Sequence, residues 1–463
     1  MSIPSVLVVP YPAQGHVNAL MIFSKKMVEN GCNCKVIFLN TDFNHKRVVS
    51  SMQGDQQQQG GDGEELIKLV SIPDGLGPED DKIDFEKLYP ALLSTMPASL
   101  EKLIEDIHLN GEYRITCIVA DVLVGWVLDV GRKLGINGAL FWPASAALFA
   151  LMCNIPKLTH DGIIDSDGLS TTKETFQISP RMPVMDKGAL FWSNFYDSKN
   201  ILKILFNYIN HCTKKLHQTE WWLCNTAYEL EPGALSFIPK LQPVGPLLST
   251  SHDNTNATTS RSMGQFWKED LSCMSWLDQQ PHQSVVYLAF GSFTLFEQNQ
   301  FKELAHGIDL TNRPFLWVVR QDNNMAYPSE FLGSKGKIVE WAPQQKVLNH
   351  PSIACFVSHC GWNSTMEGLS NGVPFLCWPY FADQLYDKTF ICDELKVGIG
   401  MDSDENGVVS RWEIKKKVEQ LLSDETLRSR SLELKGRLMK DIAEGGRSLE
   451  NLRRFVKWLE HKE

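Results

Sequence analysis

Short apolar runs alternate with helical stretches along most of the chain, and this alternation constrains the fold more than any other feature. In the first third, the strand patterns Val6–Pro10 and Lys35–Asn40 flank Val17–Asn30, which has helical periodicity and ends at Gly31. Strands that alternate with helices indicate parallel βαβ units with right-handed crossovers. The sequence therefore predicts an α/β protein built on parallel sheets.

The same pattern predicts the remaining elements of both halves. Further strands are expected at Leu66–Pro73, Ile115–Asp121, Ala139–Pro143, Val285–Phe290, Phe315–Val319, Ala354–Ser358, Val373–Trp378 and Val397–Met401. Helices are expected at 85–108, 124–134, 297–309, 363–371, 384–395, 411–422, 425–443 and 449–460. Between Ser51 and Glu65 the chain is polar and glycine-rich, which predicts a surface loop.

A segment rich in Ser, Thr and Asn divides the chain into two halves of similar character. We predict an N-terminal domain over residues 1–245, a linker over 246–264 and a C-terminal domain over 265–444, with a final helix at 445–463 that packs back on the first domain. Open parallel sheets bind ligands at the carboxyl ends of their strands, so we expect the ligands in a cleft between the halves.

Charge and composition exclude several classes of partner. The net charge of -10 argues against a nucleic-acid partner and against a polybasic membrane-binding patch. No apolar run approaches the ~18 residues of a membrane span, and the first residues lack the basic start of a signal peptide. The 11 cysteines are scattered without a Cys-x-x-Cys pair, which is typical of a reducing compartment, so we expect a cytoplasmic protein.

The densest group of polar and aromatic residues follows the strand predicted at Ala354–Ser358. His359 stands at the strand tip, Gly361 permits a close backbone approach, and Asn363 and Ser364 open a helix. A helix N-terminus offers unpaired N–H groups and partial positive charge, and the added side-chain donors suit a phosphate. This segment therefore predicts a site for a phosphate or diphosphate.

Neighbouring residues extend that site toward a nucleotide and a sugar. Glu367, one helical turn on, can accept hydrogen bonds from both hydroxyls of a ribose, and Trp341 offers a flat face to a base. Asp383 and Gln384 follow the next strand and can bind sugar hydroxyls. Each residue alone has a structural explanation, as a strand-end histidine, a core tryptophan or a helix cap; their order within one span favours a function.

A second group of polar residues lies near the start of the chain. His16 is predicted on the loop between the first strand and the first helix, and Asp121 ends a later strand. If those strands are neighbours, the carboxylate can fix the imidazole tautomer and stabilise its protonated form. A histidine held in this way can act as a general base toward a hydroxyl, which contributes about 10²–10⁴ in rate.

The span from Trp341 to Gln384 closely resembles the signature box of plant family-1 UDP-sugar-dependent glycosyltransferases. The match runs through W-A-P-Q at 341–344, H-C-G-W-N-S at 359–364, Glu367, G-V-P at 372–374 and D-Q at 383–384. It extends along the whole chain from G-H-V-N at 15–18 to the last helix. The resemblance implies a GT-B fold, in which two Rossmann-like domains have parallel sheets that face each other across a cleft, and the second domain binds most of the sugar donor.

The resemblance also implies a role for each matching residue. Donor binding would involve Trp341 and Ala342 at uracil, Gln344 and Glu367 at the ribose, His359, Asn363, Ser364 and Ser292 at the diphosphate, Trp362 near the sugar, and Asp383 and Gln384 at its hydroxyls. His16 and Asp121 match the catalytic pair. A Gln at position 384 favours UDP-glucose as the co-substrate, with no cofactor or metal, and an inverting transfer would then yield a β-glucoside.

The acceptor is the least determined part of the prediction. We expect a monomer that glycosylates a hydroxyl or carboxyl of a small lipophilic plant metabolite, such as a flavonoid, another phenolic or a terpenoid. Pro143 departs from the family by replacing a Thr that lies near the donor sugar, and Ser145 is a candidate substitute. Candidate acceptor-pocket residues, for which core packing is an equal alternative, are Phe85, Trp126, Phe141, Ser145, Phe191 and Trp192.

Alternative functions stay open at this level. Asp165-Ser-Asp167 and Asp402-Ser-Asp404 match the Asp-x-Asp motif of metal-dependent glycosyltransferases, although both read as polar turns. A nicotinamide-dependent oxidoreductase would need G-x-G-x-x-G after a strand, and no predicted strand is followed by it. A different UDP-sugar and a non-catalytic UDP-sugar-binding protein are the remaining alternatives.

Overall fold

A computed structural model describes residues 3–52, 66–77, 79–82, 84–171, 175–195, 198–249, 264–323, 325–331 and 333–460. The predicted loop at 51–65 and the predicted linker at 246–264 lie largely outside these ranges. The chain divides into two compact units, Met1–Lys268 with Asp441–Glu463 and Glu269–Lys440. Among the described residues, no helix is long and apolar enough to cross a membrane.

The first unit is built on a parallel sheet, which has seven strands among the described residues, in the order β3-β2-β1-β4-β5-β6-β7. Its strands are β1 Ile3–Val9, β2 Lys35–Thr41, β3 Ile67–Ile72, β4 Tyr113–Asp121, β5 Asn137–Trp142, β6 Trp221–Cys224 and β7 Leu241–Pro243. Its first helices are α1 Gln14–Glu29, α2 Asp42–Met52, α3 Phe85–Ser94, α4 Met96–Leu109, α5 Val127–Lys133, α6 Ala146–Cys153, α7 Ile155–His160, α8 Lys199–Thr213 and α9 Pro232–Phe237.

The second unit repeats this architecture on a smaller parallel sheet, which has six described strands in the order β10-β9-β8-β11-β12-β13. Its strands are β8 Val285–Ala289, β9 Phe315–Val318, β10 Gly336–Val339, β11 Ile353–Ser358, β12 Phe375–Cys377 and β13 Gly398–Gly400. Its helices are α10 Ser272–Leu277, α11 Gln298–Leu310, α12 Gln344–Leu348, α13 Trp362–Asn371, α14 Gln384–Thr389, α15 Arg411–Ser423 and α16 Glu425–Asp441.

The last helix, α17 (Arg447–Glu460), belongs to the first unit. Its apolar face joins α1 over the sheet, where Phe455 is fully buried and its ring lies 6.0 Å from that of Phe23 and 5.4 Å from that of Trp221. Fully burying one such side chain contributes about 1.5–3 kcal/mol relative to leaving it exposed. The end of the chain therefore stabilises the unit in which the chain begins.

The strand order of each sheet identifies the point at its carboxyl end where a ligand is expected. In the first sheet the order reverses between β1 and β4, and in the second between β8 and β11. At such a switch point the loops that follow the two strands diverge to opposite faces and leave a crevice at the carboxyl ends. His16 follows β1 and Asp121 ends β4, while Ser292 follows β8 and His359 follows β11.

The α/β prediction is confirmed, with local differences. The helix predicted over 85–108 is two helices that meet at Thr95, and Pro97 lies in the first turn of the second. Strands β6, β7 and β10 were absent from the sequence prediction, as were the helices α2, α6, α7, α8, α9, α10 and α12. These strands have only three or four residues. Strands β9, β12 and β13 are equally short, but they lie within longer segments that the sequence predicted as strands.

Candidate active site

His16 and Asp121 lie side by side in the first unit. His16 Nδ1 is 2.6 Å from Asp121 Oδ2, and the Asp121 side chain is fully buried while that of His16 is 23% exposed. The other carboxylate oxygen, Oδ1, accepts a hydrogen bond of 2.9 Å from the Leu123 backbone N–H. Because a carboxylate only accepts, Nδ1 carries the proton and Nε2 is the basic nitrogen.

The position of His16 corrects one prediction. His16 lies in the first turn of α1, which begins at Gln14, and not on a loop before the helix. The side chain of Gln14 fixes this early start, because its Oε1 accepts from the Phe266 N–H at 2.8 Å and its Nε2 donates to Gln265 at 2.8 Å. A rigid helical turn thus holds the imidazole.

A buried tyrosine cluster, which the sequence did not reveal, adjoins this pair. The Tyr11 ring lies 5.1 Å from the ring of His16, and the Tyr11 hydroxyl is 3.4 Å from that of Tyr89. Tyr89 stacks on Tyr208 at 4.0 Å. Burial raises the pKa of Tyr89 and Tyr208 well above the usual value, so both are neutral hydroxyls near the base.

The six candidate acceptor residues differ in burial and in their neighbours. Phe85 is partly exposed and stacks on Tyr89 at 5.2 Å, which places it in the aromatic group next to His16. Trp192 is 1% exposed, and its indole N–H donates to the Gly168 carbonyl at 2.8 Å. The buried ring of Phe191 lies 5.1 Å from that of Trp192. Trp126 is also buried, at 3% exposure.

Two of the six have structural roles that correct the prediction. Phe141 is fully buried in the core under α1, with its ring 4.9 Å from that of Phe23, and cannot line a pocket. Ser145 is also fully buried and donates to Glu231 Oε1 at 2.5 Å. Its hydroxyl therefore supports α6 and is not a substitute for the threonine that Pro143 replaces.

Glu231 organises the whole start of α6. Its carboxylate accepts from the Ala146 and Ala147 N–H groups at 2.8 and 3.0 Å, and from the Thr226 hydroxyl at 2.6 Å. Burial raises its pKa, and these hydrogen bonds oppose that effect. The segment after β5 is thus fixed by a buried carboxylate that lies 86 residues beyond Ser145 in the sequence.

In the second unit, two glycines enclose the side chain of His359. A Cβ atom at Gly291 would lie 2.5 Å from Nε2 of His359, and one at Gly361 would lie 2.7 Å from it. Gly291 has φ +69°, a conformation that favours glycine. Burial lowers the pKa of His359 to about 4, so the imidazole is neutral near pH 7 and can donate one hydrogen bond.

The start of α13 carries a connected polar network. Gln344 Nε2 lies 2.7 Å from the Ser364 hydroxyl and 2.6 Å from Glu367 Oε2, and Gln345 donates to Glu367 Oε1 at 3.0 Å. The buried Tyr287 hydroxyl donates to Gln344 Oε1 at 3.1 Å. Three residues predicted for the ribose and diphosphate are thus held together, and their supports Tyr287 and Gln345 were not predicted.

The other predicted donor residues differ in exposure. Trp341 is partly exposed, Ala342 is 5% exposed, and the Trp341 carbonyl accepts from the Asp270 N–H at 2.8 Å. Trp362 is 2% exposed, and its ring lies 6.1 Å from that of Phe390. Asn363, on the first turn of α13, is partly exposed.

Asp383 and Gln384 lie at the start of α14. Asp383 is partly exposed, whereas Gln384 is 4% exposed. Gln384 Oε1 accepts from the Tyr380 N–H at 2.8 Å and the Phe381 N–H at 3.2 Å, which fixes the turn after β12. The amide orientation is thereby set, with the NH₂ group directed away from these two N–H groups.

Both Asp-x-Asp segments are turns closed by their own backbone. Asp165 Oδ1 accepts from the Asp167 and Leu169 N–H groups at 2.9 Å each. Asp404 Oδ1 accepts in the same way from Asn406 and Val408, also at 2.9 Å. Within the described ranges, no group of three His, Cys, Asp or Glu residues is arranged to hold a metal ion.

Comparison with known proteins supplies the context for these two groups of residues. A family model described as UDPGT, UDP-glucoronosyl and UDP-glucosyl transferase, matches residues 254–461. UDP-glycosyltransferase 83A1 of Arabidopsis thaliana is 42% identical over 99% of this chain and 97% of its own length.

Two solved structures are similar in fold. Os79 from O. sativa in complex with UDP has a TM-score of 0.80 at 22% identity, covering 98% of this chain and 100% of that one. A UDP-glucosyltransferase from Polygonum tinctorium, described as capable of glucosylating indoxyl, has a TM-score of 0.82 at 24% identity, covering 99% of both chains. The likeness confirms the predicted GT-B fold.

Proposed function

Because the chain belongs to the UDP-glycosyltransferase family, we propose that it transfers glucose from UDP-glucose to a small lipophilic plant metabolite. The acceptor group is a hydroxyl or a carboxyl, and the product is a β-glucoside. The observation that carries this proposal is the short contact of 2.6 Å between His16 and a fully buried Asp121 at the switch point of the first sheet.

The proposed reaction starts with proton removal by His16. As the acceptor oxygen attacks the anomeric carbon, its proton passes to Nε2 of His16, and the bond between that carbon and the UDP oxygen breaks. Asp121 holds Nδ1–H and stabilises the imidazolium that forms. Attack opposite the leaving group inverts the configuration, so an α-linked donor yields a β-linked product.

The departing UDP needs stabilisation of its negative charge. In the proposal this comes from the N-terminus of α13, from neutral His359 as a donor and from Ser364. No metal or further cofactor is part of the proposed mechanism. The UDP complex of Os79, which has a similar fold, supports the proposal of UDP as the leaving group.

The donor sugar and the acceptor class rest on fewer residues. Gln384, whose carbonyl is held by two backbone N–H groups, favours glucose over other sugars in the family resemblance. The aromatic residues around His16 favour a planar acceptor, as does the indoxyl named for the Polygonum tinctorium enzyme. Flavonoids, other phenolics and terpenoids are the candidate classes.

We propose in addition that the enzyme acts as a cytoplasmic monomer. All 11 cysteines lie among the described residues and none forms a disulfide bond, which is typical of a reducing compartment.

An acceptor panel tests the function directly. Wild-type enzyme is incubated with phenolic, flavonoid and terpenoid acceptors and with UDP-glucose, UDP-galactose or UDP-glucuronate, and products are identified by mass spectrometry. We expect glucosides from UDP-glucose in excess of products from the other donors. His16→Ala should retain binding of UDP-glucose and lose transfer; full transfer by this variant would refute the assignment of the base.

A further inference from the structure

Arg320 is a buried guanidinium at the carboxyl edge of the second sheet. It follows β9, which pairs with β8 in parallel, and it is 6% exposed. Its Nη1 donates to the backbone carbonyls of Gly291 at 2.8 Å and Thr294 at 3.1 Å. A single nitrogen thus closes the loop that follows β8.

The other nitrogens of the same guanidinium face a carboxylate. Nε donates to Asp322 Oδ1 at 2.9 Å and Nη2 donates to Oδ2 at 3.3 Å, while the Asp322 side chain is 54% exposed. A guanidinium has a rigid planar fork of donors, so Asp322 fixes its orientation and with it the position of Nη1. Arg320 therefore acts on the loop through geometry.

The loop that Arg320 holds forms one wall around His359. Gly291 approaches the imidazole so closely that a Cβ atom would lie 2.5 Å from Nε2, and Gly361 approaches it in the same way. Gly361 is also the N-cap of α13. A displacement of the loop would therefore release this imidazole.

We infer that Arg320 is a positioning residue for the diphosphate of the donor, which it serves by fixing the 291–294 loop against His359. Nothing in the sequence pattern marks it, because a single Arg after an apolar strand usually ends in solvent. The inference rests on the proposed function, which assigns His359, Ser364 and the start of α13 to the diphosphate. It predicts that replacement of Arg320 weakens the binding of ligands that contain a diphosphate and leaves the binding of ligands without one nearly unchanged.

The test compares UDP with uridine. Affinities of both ligands are measured for wild type, Arg320→Gln and Arg320→Lys by competition with a fluorescent UDP analogue, alongside thermal unfolding. We expect Arg320→Gln to weaken the binding of UDP about tenfold or more and the binding of uridine by less than about twofold, because only the phosphate contacts depend on the loop. Arg320→Lys keeps the positive charge but lacks the planar set of donors, so its ratio of UDP to uridine affinity should lie between those of wild type and Arg320→Gln.

Arg428 supplies a matched control within the same unit. Its Nη2 donates to the Ala354 carbonyl at 2.8 Å, near the amino end of β11 and thus at the opposite end of that strand from His359. Arg428→Gln also removes an arginine–carbonyl hydrogen bond, and we expect it to leave the ratio of UDP to uridine affinity unchanged.

The outcomes separate this inference from the proposed function. If wild type prefers UDP to uridine and Arg320→Gln keeps that preference, or loses both affinities equally, the inference is wrong and the function stands. If wild type itself does not prefer UDP, the proposed diphosphate site is wrong. Should Arg320→Gln fail to fold, an unchanged ratio in Arg320→Lys overturns the inference and a reduced ratio supports it.

Discussion

Replacement of Asp121 by Asn should invert the tautomer of His16 as well as remove a charge. The Leu123 N–H donates to Asp121 Oδ1 at 2.9 Å, so in Asp121→Asn it should retain the amide oxygen at that position. The amide NH₂ would then point at His16 Nδ1, which lies 2.6 Å from the other carboxylate oxygen in wild type. Because Nδ1 must then accept, the proton moves to Nε2, where the base needs its lone pair.

The expected loss combines two contributions. A hydrogen bond to a charged group contributes about 1.5–3 kcal/mol, so losing the bond to the imidazolium should slow transfer about 10–150-fold. Inversion of the tautomer adds the cost of about one further hydrogen bond, so we expect kcat to fall about 10²–10³-fold in Asp121→Asn. Asp121→Ala leaves room for a water molecule that can accept from Nδ1–H, so this variant should retain more activity than Asp121→Asn.

Glucoside formation at saturating UDP-glucose measures these losses. Asp129→Asn is a control, since Asp129 is an acidic residue of the same unit that pairs with Arg132 and Lys215 away from His16. Binding of UDP should be unchanged in all three variants. The reasoning is refuted if Asp121→Asn keeps more than about a tenth of the wild-type rate, or if Asp121→Ala is the slower of the two.

Two further predictions concern stability. Glu231→Ala removes the acceptor of four buried donors and should destabilise the first unit by about 3–5 kcal/mol, and Glu231→Gln should destabilise it less. Urea denaturation measures the free energy of unfolding of both variants. Their affinity for UDP should not change, because we assign the UDP site to the second unit. The pKa of His359 is lowered by burial to about 4, so below pH 6.5 the unfolded chain binds a proton that the folded chain does not, and stability falls as the pH drops from 6.5 toward 4. At pH 5 the free energy of unfolding should be about 2 kcal/mol lower than at pH 7.5 for this reason, and His359→Gln should lack this contribution. Urea denaturation of wild type and His359→Gln at the two pH values measures the difference. An equal loss of stability in the two proteins would contradict the burial of a neutral imidazole.

The parts of the fold that the sequence predicted are those with a local signal. Strands β1, β2, β4 and β11 are apolar runs bounded by turn residues, and the sequence predicted their ends to within three residues. Strand β10, with exposed Ile338 at an edge of the sheet, has no such run and was missed. Helix α8 was missed although its buried residues Leu202, Leu205, Phe206 and Ile209 have helical spacing.

The candidate site shows the same division between local and distant signals. Residues 359–364 could be placed from sequence, because a strand tip and a helix start are adjacent in the chain. The burial of Ser145 depends on Glu231, and the loop at Gly291 depends on Arg320, which are 86 and 29 residues away. No periodicity links such pairs, so their roles appear only in three dimensions.

The return of the last helix to the first unit limits how proteins of this architecture can be recombined. Phe455 and Leu459 pack into a core that β1 and α1 supply from the opposite end of the chain. A hybrid of two relatives with a single crossover point would combine α17 of one parent with the first-unit core of the other. Exchange of whole units therefore needs two crossover points, one near Lys268 and one near Lys440, so that the first unit and the last helix come from the same parent.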